Sequence, residues 1–330
     1  MNKITIIGSG AMGSAVAKVI YDSGYKNIVI YGIDKTELSQ LKEGKNLKYF
    51  PQDTKLPHFQ TTDNLKYALN NASYIVIAVP SKFVDSVCKD ILKNLNSQVI
   101  IINVSKGFYP NSNLSLQEGL KQASKDNEKV MGVVSLLGPS HAEEIVKEQL
   151  TVVSLVENGM ENAKKVQKLF SNDYFRNYLQ EDEIGSEVGG AYKNILAIAS
   201  GMLFGSGYGI NTVAALLTRG LAEARRFNKQ MGGKEITLMG LTGIGDLIVT
   251  ALSPLSRNYS FGQEFAKKGK EALNTLLTVE GLTAIKSVLE IAQRKKIDLP
   301  IVFALNEILL GNITLKQAIS EIWKRGLKAE

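Results

Sequence analysis

The sequence is poor in the residues that build stapled or metal-held folds. Its single cysteine, Cys88, cannot close an internal disulfide, so no oxidising compartment is implied. Its two histidines, His58 and His141, stand far apart, which argues against a structural zinc site. Prolines number 7 against 29 glycines, and no periodic glycine pattern runs through the chain, which excludes a collagen-like or proline-rich protein. Long apolar runs are missing too. The longest candidate, Ile195 to Phe204, contains Ser200 and Gly201 and falls short of the roughly 18 residues that span a bilayer. Only Met1-Asn2-Lys3 precedes the first apolar run, which leaves no room for a leader segment. The expectation is a soluble, cytoplasmic protein without a membrane span. What is present, 44% hydrophobic and 22% charged residues over 330 positions, is the balance of a globular chain with one large domain or two ordinary ones. The net charge, 39 − 32 = +7, fits an anionic ligand and fits plain solubility equally well.

The first half alternates strand and helix patterns. Strands are expected at Ile4–Ile7, Asn27–Tyr31, Tyr74–Val79, Gln98–Val104, Met131–Leu136 and Thr151–Leu155. They read as continuous apolar runs, which points to burial on both faces in a mostly parallel sheet. Between them, Ala11 to Ile20 suits a helix packed on a sheet, and Phe83, Val87, Ile91 and Leu95 recur at helical spacing. From about Gly185 the strand signals stop. Helical stripes take over: Ile184, Val188, Ala191, Ile195, Ala199 and Met202, then Val213, Leu216, Leu217, Leu221 and Ala224, then Leu282, Ile285, Val288, Leu289 and Ala292. The fold class is therefore α/β, a Rossmann-type domain over residues 1–185 followed by an all-helical domain over residues 186–330.

Gly8-Ser9-Gly10-Ala11-Met12-Gly13 is a G-x-G-x-x-G turn placed between the first strand and the first helix. In that setting it is a dinucleotide-binding signal. The first glycine permits the tight turn, the second lets backbone approach a pyrophosphate, and the third lets helix and strand pack closely. The helix start then offers free N–H groups and partial positive charge to the phosphates. Cofactor choice stays open. An acidic residue after the second strand suits the ribose of NAD and a cation suits NADP, and Asp34-Lys35 offers one of each.

Gly189-Gly190-Ala191-Tyr192-Lys193-Asn194-Ile195-Leu196-Ala197-Ile198-Ala199 closely resembles the signature of bacterial-type NAD(P)-dependent glycerol-3-phosphate dehydrogenases. Further segments resemble that family in the same order: residues 214–223, Leu241-Thr242-Gly243-Ile244-Gly245-Asp246-Leu247, Ser256-Arg257-Asn258 and Val279-Glu280-Gly281. In the first half, Val79-Pro80-Ser81, Ser105-Lys106-Gly107 and Gly138-Pro139-Ser140 fit as well, so the resemblance covers nearly the whole chain. It implies reversible reduction of dihydroxyacetone phosphate to sn-glycerol 3-phosphate, a product that feeds glycerophospholipid synthesis. It also implies a cytoplasmic, usually dimeric enzyme whose helical domain is 6-phosphogluconate-dehydrogenase-like.

By position the resemblance makes Lys193 the general acid/base and places Lys106, Asp246 and Asn194 in the same site. Substrate contacts are implied for Lys106, Gly138, Ser140, Lys193 and Asp246, and phosphate contacts for Ser256, Arg257 and Asn258. Cofactor contacts are implied for the turn residues Gly8, Gly10, Ala11, Met12 and Gly13, and for Ile33, Pro80, Phe83, Lys106, Arg257 and Glu280. This chain carries Ile33 where bacterial members often have Arg or His, so NAD and NADP both remain open.

Elementary chemistry agrees with these roles. Carbonyl reduction needs hydride at carbon and a proton at oxygen, and an ammonium group both stabilises the growing negative charge and donates the proton. In the oxidative direction Lys193 must be neutral, which calls for a pKa below the free value of about 10.4. Lys106 and burial push it down, and Asp246 pushes it back. Without the resemblance, Lys193 would read as a solvated lysine on a helix face. Arg257 suits a phosphate through its planar, permanently charged fork of donors.

Other residues read more simply. Cys88 is a small apolar filler on a helix facing the sheet. His141 is a residue at a helix start, and Trp323 is a packing or interface residue. Lys267-Lys268-Gly269-Lys270 is a solvated loop, and no motif supports nucleic-acid binding. Two other classes compete. The glycine turn also resembles that of pyrroline-carboxylate reductases, and β-hydroxyacid dehydrogenases share a helical second domain with a lysine–asparagine pair. A non-catalytic nucleotide-binding protein would keep the fold and lose turnover.

Overall fold

Apolar strand residues that alternate between two buried faces can be covered only by helices on both sides of a sheet, and that is what forms here. Ile4, Ile6, Val76, Ile100, Ile102 and Val134 belong to one buried cluster. Ile7, Ile75, Ile77, Ile101 and Val133, in the same strands but with opposite parity, belong to another. The computed structural model describes residues 2–110, 112, 114–274 and 279–324. The chain divides into two units, Met1–Glu187 and Val188–Glu330.

In the first unit the strands are β1 (Lys3–Ile7), β2 (Ile28–Tyr31), β3 (Gln60–Thr62), β4 (Ala72–Ile77), β5 (Val99–Asn103), β6 (Val130–Leu137), β7 (Thr151–Val156) and β8 (Phe175–Gln180). They lie in the order β3-β2-β1-β4-β5-β6-β7-β8. From β3 to β6 every pairing is parallel, with Ile4 opposite Ile28 and Tyr74. This is the doubly wound order of dinucleotide-binding folds. β7 then runs antiparallel to β6, and β8 pairs parallel with β7. The expected strands are all present. β3 and β8 are additions that no apolar run announced.

The helices of this unit are α1 (Ala11–Asp22), α2 (Lys35–Lys42), α3 (Leu65–Leu69), α4 (Val84–Asn94), α5 (Leu116–Ser124), α6 (Ala142–Ile145) and α7 (Glu161–Gln167). Side-chain caps start several of them: Asp34 accepts from the N–H groups of Thr36 and Glu37, and Ser115 from that of Glu118. The α4 stripe differs from the expected one. Phe83 closes a short turn before the helix and is half exposed, while Val84, Cys88 and Ile91 face inward. Cys88 is the filler expected, and burial pushes its thiol up to about 11. His141 is the N-cap residue of α6.

The next helix, α8 (Glu183–Gly205), leads from the first unit into the second, and every residue from Gly185 to Leu203 is buried. The second unit continues with α9 (Ile210–Met231), α10 (Asp246–Ala251), α11 (Arg257–Lys268), α12 (Glu280–Lys295), α13 (Pro300–Leu310) and α14 (Leu315–Trp323). Among the described residues no helix is long and apolar enough to cross a membrane. Lys267 and Lys268 close α11 rather than forming a loop, and Lys268 pairs with Glu264. The side chain of Trp323 lies outside the described residues.

Two buried carboxylates brace these units. Glu187 accepts from the Gln117 N–H, and burial pushes its carboxyl up to about 8. Glu223, on α9, accepts from the N–H groups of Ile301 and Val302 at 2.7 and 3.3 Å, so a side chain from another helix caps α13. Burial pushes Glu223 up to about 7 against the pull of those N–H groups.

Candidate active site

The glycine turn follows β1 and opens α1. Gly8 has φ = 120°, and a Cβ there would lie 2.5 Å from the Ala78 carbonyl oxygen. A Cβ at Gly13 would lie 2.0 Å from the Gly8 carbonyl oxygen. Both glycines are therefore demanded by the chain's own packing. Gly10 is not. Added there, a Cβ would meet, among the described residues, only the Tyr49 side chain, at an ordinary 3.7 Å. The backbone at Gly10 thus keeps room for a group from outside the chain, as a pyrophosphate cradle requires.

Tertiary contacts stiffen the turn. Asn46 donates to the Ser9 carbonyl at 2.8 Å and to the Ser14 hydroxyl at 2.9 Å. Ser9 Oγ donates to Glu37, which also takes the Lys48 ammonium at 2.6 Å. Asn46, Lys48 and Tyr49 come from a stretch without regular structure, so periodicity gives no sign of them. At the end of β2, Ile33 is 88% exposed. Beside it the Glu37 N–H, then the Lys48 ammonium, hold the Asp34 carboxyl below the usual carboxylate range.

The other candidate residues of the first unit sit on neighbouring loops at the carboxyl ends of strands. Pro80 follows β4, and Ser105 Oγ donates to the Val79 carbonyl at 2.6 Å, tying the loops after β4 and β5 together. Lys106 Nζ donates to the Gly138 carbonyl at 3.0 Å and to Ser140 Oγ at 3.4 Å. The loops after β1, β4, β5 and β6 are where open α/β sheets bind ligands.

In the second unit the decisive contact is between backbones. A Cβ at Gly189 would lie 2.3 Å from the Thr242 carbonyl oxygen, and one at Gly243 2.1 Å from that of Leu238. These glycines let α8 lie directly on the widened, π-type turn Leu241–Gly245. Turns of this kind occur frequently at functional sites. Asp246 comes immediately after it, and Lys193 is one turn beyond Gly189. The close approach brings them together: Lys193 Nζ and Asp246 Oδ1 are 2.5 Å apart, with side chains 4% and 2% exposed. The solvated-lysine alternative is thereby ruled out. Thr250 donates to the same carboxylate oxygen at 3.3 Å. Thr250 belongs to none of the motifs, although its i+4 spacing from Asp246 is a usable signal.

Next to this pair runs a chain of amides. Asn194 donates to Glu280 Oε2 at 3.3 Å, Asn258 donates to Asn194 Oδ1 at 2.9 Å, and the Gly281 N–H donates to Asn258 Oδ1 at 2.9 Å. Ser256 caps α11 by accepting from the Tyr259 N–H. Arg257, the first residue of that helix, is exposed. Contacts therefore join Lys193 to Asp246 and Asn194 to Asn258 and Glu280, all within one unit, while Ser256 and Arg257 adjoin Asn258 in sequence. Asn258 is engaged at both ends of its amide and braces Asn194 as well as flanking Arg257. Chemically, the second unit offers a buried ammonium held by a carboxylate and an exposed guanidinium at the N-terminus of α11. Among the described residues no group of three or more metal-ligating side chains occurs.

Comparison with known proteins agrees with this arrangement. The family model for the NAD-dependent glycerol-3-phosphate dehydrogenase N-terminus matches residues 3–163, and that for the C-terminus matches residues 182–320. A glycerol-3-phosphate dehydrogenase [NAD(P)+] of Mycoplasma mobile is 56% identical over 329 residues, covering 100% of this chain and 98% of its own. One from Lactobacillus johnsonii is 39% identical, covering 100% and 99%. The crystal structure of glycerol-3-phosphate dehydrogenase from Coxiella burnetii superposes with a TM-score of 0.88 at 32% identity, covering 98% and 99%. By these matches over almost its whole length, the chain belongs to the NAD-dependent glycerol-3-phosphate dehydrogenase family.

Proposed function

We propose that the protein catalyses the reversible NAD(P)H-dependent reduction of dihydroxyacetone phosphate to sn-glycerol 3-phosphate. In a chain of this family, the observation that carries the reading is the buried Lys193–Asp246 pair. The first unit binds the dinucleotide, and the room at Gly10 fits a pyrophosphate. When bound, the nicotinamide supplies the hydride.

The chain's own residues do the rest. Lys193 delivers a proton to the C2 oxygen during reduction and takes it back in the reverse direction. Its ammonium also stabilises negative charge as it builds on that oxygen, most effectively because the group is dry. Asp246 and Thr250 keep the ammonium charged and aimed. Asn194, held by Glu280 and Asn258, keeps its place beside Lys193 on α8. Arg257 grips the phosphate together with the first-turn N–H groups of α11, of which the Ser256 hydroxyl claims only that of Tyr259. From the first unit, Lys106, Gly138 and Ser140 contribute substrate contacts. The same reading gives a cytoplasmic homodimer, which light scattering checks, and a product destined for glycerophospholipid synthesis.

The test is a panel assay of NADH and NADPH oxidation with dihydroxyacetone phosphate, pyrroline carboxylate and a β-keto acid. Turnover is expected with dihydroxyacetone phosphate alone. Turnover with another member in its place would replace the reading. Dinucleotide binding without turnover on any of the three would make the protein a binding module.

A further inference from the structure

Glycines inside the helices of the second unit have packing reasons. A Cβ at Gly201 would lie 2.1 Å from the Tyr259 carbonyl oxygen, one at Gly262 2.2 Å from that of Ile198, and one at Gly220 2.3 Å from the Leu196 side chain. Gly190 differs. Among the described residues, no heavy atom outside its own helical backbone and chain neighbours comes within 4 Å of a Cβ built there. Its φ is not in the left-handed range, and it lies in the interior of α8, so neither a turn nor a cap asks for glycine. A helix interior disfavours glycine relative to alanine. Yet the residue is buried, so the room above it is a recess rather than open surface.

The neighbours of Gly190 on the helix surface are the residues three and four positions on, Lys193 and Asn194. Helical side chains lean toward the N-terminus, so both lean over the turn that contains Gly190. Lys193 is fixed by Asp246, and Asn194 by Glu280 and Asn258. A recess flanked by one buried ammonium and one buried amide suits a small group with a hydrogen-bond-accepting oxygen.

We infer that Gly190 is a specificity-determining residue: its missing side chain reserves room beside Lys193 and Asn194 for the carbonyl end of the three-carbon keto phosphate. This rests on the assignment of Lys193 as proton donor. A methyl group at position 190 meets, among the described residues, no atom beyond its own helical backbone and chain neighbours and strengthens the helix, but it occupies the place of the reacting carbons.

The test compares Gly190→Ala, Gly190→Ser and Lys193→Met with the parent enzyme. The readouts are the melting midpoint, NADH affinity by fluorescence titration, and kinetics with dihydroxyacetone phosphate. Gly190→Ala is expected to melt at the same temperature or higher and to bind NADH within about twofold. Its kcat/KM for the keto phosphate is expected to fall at least about tenfold, and that of Gly190→Ser further. An unchanged kcat/KM, a loss seen in NADH affinity instead, or a lowered melting midpoint overturns the inference. Lys193→Met separates the two readings. If it is inactive while Gly190→Ala is unaffected, only the inference fails. If Lys193→Met retains full turnover, the assignment of Lys193 fails and the inference with it.

Discussion

Removing one partner of the Lys193–Asp246 pair leaves a charge stranded in a dry site, and the size of that effect follows from the geometry. At 2.5 Å and an effective dielectric of about 20, the mutual attraction is about 7 kcal/mol. Most of this offsets the cost of withdrawing two ions from water, which is several kcal/mol each. The net contribution of the intact pair is therefore small, but breaking it is not. Asp246→Asn or Lys193→Met alone should each destabilise the protein by about 3–5 kcal/mol. The double variant should be less stable than the parent by no more than about 2 kcal/mol, because no uncompensated charge remains. The coupling energy is then on the order of 4 kcal/mol or more, well beyond what an exposed pair gives. Equilibrium urea denaturation, followed by the helical circular dichroism signal, measures it in the transition that reports the second unit. If each single variant costs less than about 1 kcal/mol, the pair is wetter than its exposure indicates and the argument for a low-dielectric proton donor fails.

Other contacts carry expectations of their own. Arg257→Gln should lower kcat/KM for dihydroxyacetone phosphate about ten- to a hundredfold and leave unphosphorylated dihydroxyacetone within about twofold, since one charge-assisted contact is worth about 1.5–3 kcal/mol; equal losses on both substrates speak against phosphate binding. Gly13→Ala should destabilise the first unit by at least about 1–3 kcal/mol, because its methyl would lie 2.0 Å from the Gly8 carbonyl oxygen. Gly10→Ala should fold normally and lose about tenfold in dinucleotide affinity by calorimetry, and normal affinity there refutes the cradle. Stability should also depend on pH through Glu187 and Glu223, raised by burial from 4.5 to about 8 and about 7. A raised carboxyl means that the folded state holds protons the unfolded chain releases. Their stabilisation is thus complete below about pH 4.5 and is lost as pH rises toward 8, at up to about 1.4 kcal/mol per pH unit for each group. Denaturation midpoints at pH 6 and pH 9 check this, with Glu187→Gln expected to flatten the slope. Identical midpoints in the parent protein would contradict it.

Local patterns carry much of the fold. β1, the glycine turn and α1 are legible because a β-branched run, three glycines and a small-residue helix each depend on neighbouring residues. β8 is not, because it is an edge strand whose alternation puts polar Asn177 inward. That side chain is buried and donates to the carbonyls of Gln167 and Phe170, so the usual apolar signal is replaced by hydrogen bonds. β3 offers only Gln60-Thr61-Thr62, too short and too polar to register. The candidate site divides in the same way. Its residue types can be matched by motif, but the burial of Lys193 depends on α8 touching a turn some fifty residues later through Gly189 and Thr242. No window of sequence contains both. The role of Asn46, which reaches back 37 residues to Ser9, is hidden for the same reason.

The carboxylate of Glu223 holds the start of α13 from 78 residues earlier in the chain. During synthesis, α9 therefore leaves the ribosome well before the segment that needs it. Until residues 300–302 emerge, Glu223 has no backbone donors there to satisfy and α13 does not exist to be capped. The two helices can complete each other only after those residues have been made. A nascent chain arrested before residue 300 should present the second unit as an open, protease-sensitive species, released to its mature state once residues 300–302 emerge.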